Sequence, residues 1–290
     1  MRLGQCCLRI SLAVTVVTTL ATTAGLFSTP AVSSAAPVDP SHRADAEFVA
    51  VGDSYIDSGS YAGTFLVGGC IQASDSVARL IAAKMPQASF GDWGCGGAET
   101  ADITQDSMMG PQVNGLSAAA EYVAVSIGGN DEDLFVSLIG SCFIAATCTQ
   151  AVRDQSAETF AKLPARLDAA YAAIRQNAPN AEIAVLGYPK ILPEDPTGCF
   201  IDAIAGRSAI TFLVGAQRAL NNAVAAAADR AGFSFVDPAT AGDHSICAPV
   251  AQRYVSFVGL EPGEGGTFFH PTQLGREYMA AKTYAALTAN

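Results

Sequence analysis

Ser54 stands in the run Val51-Gly52-Asp53-Ser54-Tyr55, directly after the apolar stretch Ala46–Val51. A serine at the turn from a strand into a helix exposes its Oγ, and the N–H groups there favour a developing anion. A hydroxyl becomes a useful nucleophile only beside a base. The chain has three histidines, His42, His244 and His270. His42 lies near the start of the mature chain. His244 sits in a loop beside Cys247 and is the second choice. His270, in Phe269-His270-Pro271 just ahead of the last helical stretch, is the preferred base.

Acyl transfer also needs donors aimed at the tetrahedral oxyanion. The Ser54 N–H is one. Gly97, in Gly94-Cys95-Gly96-Gly97-Ala98, has no Cβ to block close approach and offers a second. Asn130, in Ser126-Ile127-Gly128-Gly129-Asn130-Asp131, offers a side-chain NH₂. A glycine pair after a strand is commonly only a turn, and Asp53 and Asp131 are read as turn or cap residues. The weight lies in the set: all four pieces fall at the ends of expected elements.

Those elements follow from the apolar pattern. Strands are expected at Ala46–Val51, near Ala88–Phe90, and at Tyr122–Ile127, Ile183–Leu186 and Phe233–Val236. A helix capped by Ser74 or Ser76 carries Val77, Leu80, Ile81 and Met85 on one face and stops at Pro86. Others cover about 156–177, bent or restarted at Pro164, then about 208–231 and Leu274–Leu287. The strands are apolar throughout, as expected when both faces of a parallel sheet are covered. The expectation is a three-layer α/β domain whose ligand crevice opens at the carboxyl ends of the strands.

Net charge over the 290 residues is −11, and half of them are apolar. Ordinary nucleic-acid binding needs cations to replace phosphate counterions, so it is excluded. Arg2 and Arg9, the apolar stretch Ile10–Phe27, and the small residues Ala31 to Ala36 have the order of a secretory signal cut after Ala35 or Ala36. Losing residues 1–36 removes two arginines and no acids, leaving −13. The expected product is a secreted domain over 37–290. It retains Cys70, Cys95, Cys142, Cys148, Cys199 and Cys247, which read as three disulfides with the connectivity open. No metal-ligand spacing occurs, and no cofactor is expected.

In Gly52-Asp53-Ser54, Gly97, Gly128-x-Asn130-Asp131 and His270 the chain resembles the SGNH hydrolases, also called GDSL esterases and lipases. The likeness covers essentially the whole mature chain and is greatest to secreted actinobacterial lipases and esterases. It implies a flavodoxin-like parallel sheet with helices on both faces. It also implies cysteines paired in chain order, Ser54 as nucleophile, His270 as base, and Ser54 N–H, Gly97 and Asn130 as the oxyanion hole. One position departs from the family. Three residues before the histidine, where the family usually has Asp, stands Thr267. The expectation is therefore a Ser54–His270 dyad whose imidazole is held by the main-chain carbonyl of Thr267 or Phe268. Asp243 and Glu264 are the rival orienting groups.

The expected activity is carboxylic-ester hydrolysis through an acyl-serine, on a small-molecule or lipid ester, by a monomer in transient contact with lipid interfaces. A carbohydrate O-deacetylase would use the same site, and a non-catalytic exported binding module is the third reading. No Gly-x-Ser-x-Gly elbow occurs, which disfavours a conventional α/β-hydrolase. Phe65, Leu66 and Val67 are read either as an acyl groove or as ordinary core.

Overall fold

A computed structural model describes residues 42–105, 110–146, 148–238 and 242–289. The expected signal segment, 1–36, lies outside the described residues.

Phe48–Gly52 forms β1, and its residues are all buried. The short helix α1, Ser54–Asp57, follows at once. An antiparallel hairpin comes next, β2 (Thr64–Val67) and β3 (Cys70–Ala73). The helix α2, Val77–Ala82, is capped by Ser76, whose Oγ accepts from the Arg79 N–H at 3.3 Å. Phe90–Asp92 is β4 and Tyr122–Ser126 is β5. A helical turn, α3 (Leu134–Ser137), continues into the wider π-helical turn Leu138–Ile144. The long helix α4, Gln150–Asn177, runs through Pro164. It begins earlier than its alanine-rich part, because Thr149 caps it. Glu182–Leu186 is β6, Phe200–Ala205 is α5, and Arg207–Ala231 is α6. Ser234–Val236 is β7, and Gln273–Leu287 is α7, capped by Thr272.

The five parallel strands lie in the order β4-β1-β5-β6-β7. Among parallel strands alone this is second, first, third, fourth, fifth, the flavodoxin-like order, with its switch point between β1 and β5. Alternate strand residues feed two cores. Val49, Val51, Val123, Val125 and Val185 pack with Leu163 and Leu167 of α4 and Leu220 of α6. Phe48, Ala50, Ala124, Ala184 and Leu186 pack with Ile81 of α2 and Met279 of α7. Both sheet faces are thus covered, which is why the strands read as unbroken apolar runs.

The three disulfides pair in chain order, Cys70–Cys95, Cys142–Cys148 and Cys199–Cys247. The Phe65-Leu66-Val67 segment is not core. It is β2 of the hairpin, with Leu66 70% exposed and Phe65 beneath the Arg79 guanidinium. No helix among the described residues is long and apolar enough to cross a membrane.

Candidate active site

The site assembles where β1, β4 and β5 end, and hydrogen bonds stitch the three turns together. The Asp53 N–H donates to Ser126 O at 2.7 Å, and the Cys95 N–H to Gly52 O at 3.0 Å. Asn130 Nδ2 donates to Ala98 O at 3.1 Å. Gly52 sits at φ +127, and a Cβ there would fall 2.0 Å from Ser126 O, so only glycine lets β1 pass β5 and turn. The Gln112 side chain brackets Gly52, accepting from its N–H and donating to its carbonyl.

Ser54 Oγ lies 2.7 Å from His270 Nε2. His270 Nδ1 lies 2.7 Å from the Phe268 carbonyl oxygen. A carbonyl only accepts, so Nδ1 carries the imidazole proton and Nε2 is left as the acceptor facing the serine hydroxyl. Burial lowers the His270 pKa below its usual 6.5, against the smaller raising effect of the Phe268 bond. The neutral ring that can take a proton is therefore favoured.

Of the two carbonyls expected at Nδ1, the one in place is that of Phe268. Thr267 O instead accepts from the His270 N–H at 3.1 Å. Neither rival carboxylate reaches the ring. Asp243 Oδ1 takes the Ser245 N–H at 2.9 Å. Glu264 is buried with Arg253 3.6 Å away. The other histidines are occupied elsewhere: His244 Nδ1 bonds Gln252 O and its ring stacks on Tyr254, while His42 packs against Trp93.

The turn that presents His270 has an unusual backbone. Phe269 adopts φ +55, and its carbonyl accepts the Tyr55 hydroxyl at 2.8 Å. The residue after Ser54 thus grips the residue before His270. Gly97 has φ +87, with no protein atom within 4 Å of where a Cβ would stand. The glycine there answers the backbone angle more than the clearance expected from sequence. Neither the Ser54 nor the Gly97 N–H is bonded within the described residues. Asn130 spends one amide hydrogen on Ala98 and keeps the other.

Asp131 is structural, as expected, accepting from the Thr100 N–H and hydroxyl with Arg166 nearby. Asp53 does more than cap α1. Its Oδ1 accepts the Tyr55 N–H at 2.8 Å, and its Oδ2 takes the Tyr188 hydroxyl at 2.6 Å. Tyr188 was not found from sequence. Its only signal is the run Gly187-Tyr188-Pro189 at the end of β6.

A narrow apolar pocket lined by Phe135, Leu138, Phe143, Leu213 and Phe269, the residue before His270, has a volume of about 40 Å³. Phe135 lies against the Tyr55 ring, at 5.7 Å between centroids.

A serine hydroxyl against an imidazole, over the carboxyl ends of a flavodoxin-like sheet, is an arrangement suited to acyl transfer. Comparison with known proteins agrees: residues 50–278 match the GDSL-like lipase/acylhydrolase family, and the chain belongs to it. It is a carboxylic-ester hydrolase of the GDSL lipase and esterase type. Lipase 2 of Streptomyces coelicolor is 31% identical over 283 residues, covering 91% of this chain and 93% of the relative. A phospholipase A1 from Streptomyces albidoflavus superposes with a TM-score of 0.66 at 27% identity, covering 83% of this chain and 98% of its own. An extracellular lipase from Streptomyces rimosus superposes with a TM-score of 0.65 at 28% identity, covering 83% and 99%.

Proposed function

We propose that the chain hydrolyses acyl esters through an acyl intermediate on Ser54, with His270 as the base and no carboxylate behind it. The single observation that carries this reading is the 2.7 Å contact from Ser54 Oγ to a His270 Nε2 left unprotonated by its Phe268 bond. As Oγ attacks the ester carbonyl, Nε2 takes its proton. The Ser54 and Gly97 N–H groups and Asn130 Nδ2 receive the oxyanion. Collapse expels the alcohol, which leaves with the proton from Nε2. A water then attacks the acyl-serine by the same route, and Ser54 regains its proton.

The acyl half of the substrate is a hydrocarbon chain, and the apolar pocket beginning at Phe269 supports this over an acetyl group on a sugar. Phe200, Ile204, Leu260 and Phe268 are exposed apolar residues. Ring contacts run from Phe200 through Phe257 to Phe268, which supports transient docking on lipid. With a net charge of −13 once residues 1–36 are removed, the surface favours uncharged or zwitterionic lipid over anionic lipid. The chain is exported, its signal removed after Ala35 or Ala36, leaving a hydrolase over 37–290. Three disulfides support export.

The test is a panel of p-nitrophenyl acetate, butyrate and palmitate beside acetylated xylan, with Ser54→Ala as control. Ester cleavage that rises with chain length and vanishes in Ser54→Ala is expected. Preference for acetylated xylan, or undiminished cleavage by a clean Ser54→Ala preparation, contradicts the reading. Intact mass of protein from the culture medium locates the cleavage.

A further inference from the structure

Two turns of the site meet at one buried hydroxyl that belongs to neither of them. Tyr188, at the end of β6 and fully buried, donates its O–H to Asp53 Oδ2 at 2.6 Å. The same oxygen accepts the Gly129 N–H at 2.8 Å. Asp53 immediately precedes Ser54, and Gly129 immediately precedes Asn130. Asp53 Oδ1 also holds the Tyr55 N–H, and Tyr55 in turn holds the Phe269 carbonyl beside His270.

Tyr188 is itself clamped. Its N–H donates to Asn221 Oδ1 at 2.9 Å, and its carbonyl accepts from Asn221 Nδ2 at 2.8 Å. Its ring meets Tyr55 edge-on at 4.8 Å and Phe135 edge-on at 5.3 Å. The ring accounts for the packing, and Phe would pack there as well. The hydroxyl serves something else.

We propose that Tyr188 is a positioning residue for hydrolysis: its hydroxyl couples the turn of Ser54 to the turn of Asn130 and fixes the spacing of nucleophile and oxyanion donor. This rests on the reading of Ser54, His270 and Asn130 given above. The coupling requires Asp53 as a carboxylate. Tyr188 oxygen already receives the Gly129 hydrogen, and its own hydrogen has only Asp53 to go to. A protonated Asp53 that turned its proton toward Tyr188 would leave that hydrogen without an acceptor.

Asp53 is poised to titrate. Burial raises its carboxyl to about 7, against the lowering effect of the bonds from Tyr188 and Tyr55. The ionisable groups facing it are Tyr55, Tyr188, Tyr171, Asp131 and Asp57. Arg166 neutralises Asp131 from behind. The acid limb of kcat should thus fall near pH 7 with Asp53, and His270, lowered below 6.5, should titrate beneath it. Removing the Tyr188 hydroxyl takes away a bond that favours the carboxylate, so the limb must move to higher pH.

The experiment uses Tyr188→Phe and Asp53→Asn, assayed on p-nitrophenyl butyrate across pH, with Ser54 phosphorylation by diethyl p-nitrophenyl phosphate measured in parallel. In that labelling Oγ bonds to phosphorus, p-nitrophenolate leaves, and His270 takes the proton. For Tyr188→Phe, kcat falls about tenfold to a hundredfold, the scale of a small misplacement of reacting groups. KM stays within about twofold, and the acid limb shifts upward. Asp53→Asn, which keeps the shape, lowers kcat similarly, and its remaining limb retreats below 6.5 to that of His270. A folded Tyr188→Phe with wild-type kcat and an unmoved limb overturns the proposal. So does Asp53→Asn that keeps both. If the wild-type protein is not labelled at Ser54, the functional reading fails. If it is labelled, and Tyr188→Phe is labelled at the same rate, only the role of Tyr188 fails.

Discussion

His270 Nδ1 and the Phe268 carbonyl oxygen lie 2.7 Å apart, two residues from one another in the chain. The ring's tautomer is set by its own turn, not by a carboxylate brought from elsewhere. A carbonyl fixes the tautomer but stabilises the imidazolium less than a charge would. Thr267, at the position where a carboxylate would be expected, contributes only its main-chain oxygen, to the His270 N–H. Thr267→Ala should therefore keep kcat/KM on p-nitrophenyl butyrate within a few-fold of wild type. His270→Ala should lose on the order of 10⁴-fold or more. A Thr267→Ala enzyme as poor as His270→Ala would show that the hydroxyl is needed.

Asn130 is expected to act on the transition state. Asn130→Ala should lower kcat by about 10²–10³, the loss that follows removal of one oxyanion donor, with KM nearly unchanged. A rise in KM alone would make Asn130 a substrate-binding residue. The substitution also frees Ala98 O, so Tm should be recorded beside the kinetics to show that the fold survives.

A second buried acid, Asp57, makes stability depend on pH. Asp57 and Asp92 are both fully buried, with Arg79 3.2 Å from Asp92. Burial first, and then the neighbouring Asp92 charge, raise the Asp57 carboxyl well above its ordinary 3.8, while Arg79 acts in the other direction and Asp53 adds to the rise. A raised acid means that the folded state holds the proton more tightly. Its stabilising contribution is complete below the unfolded value near 3.8 and is lost as pH climbs through the folded one. Tm should thus decline as pH rises from about 3.8 through the raised folded value, and Asp57→Asn should flatten the decline. Parallel curves for the two proteins would exclude Asp57 as the cause.

The disulfides should differ in weight. Cys199–Cys247 spans 48 residues and Cys142–Cys148 only 6. Loop-closure entropy then assigns about 4 kcal/mol to the first and about 2 kcal/mol to the second. Chemical denaturation of the two double Cys→Ser variants measures both. Equal losses would mean that packing around the bridges, not chain entropy, sets their value.

Much of this was legible in the sequence because both faces of the sheet are buried. Unbroken apolar runs ending in glycine marked β1, β5 and β6, and the candidate site sits where such runs stop. Ser54 and His270, which the structure brings 2.7 Å apart, could be singled out as a candidate pair because the chain has only three histidines. The hairpin was missed, although Gly68-Gly69 between β2 and β3 was its turn signal. Phe65 to Val67 look like core, yet one face of that ribbon meets solvent. The helical segment from Leu134 to Ile144 was missed because its π-helical turn has no simple period. Tyr188 was invisible for another reason. Its partner Asp53 is 135 residues away in sequence, and no local pattern encodes a contact made only by folding. Choosing Phe268 over Thr267 likewise needed the backbone of the turn.

Phe269 holds φ +55, an angle that costs a bulky residue about 1–3 kcal/mol. Its ring is embraced by Phe143, Phe257 and Phe268 at 4.4–5.7 Å, and that packing holds the backbone in place. Heat resistance and catalytic competence are thereby set against each other at a single bond. A substitution that let this φ relax to a negative value would release strain and swing the next residue's imidazole away from Ser54. Screens for thermal hardening that read only residual fold would reward such a change, and the survivors would be robust, well-packed and inert.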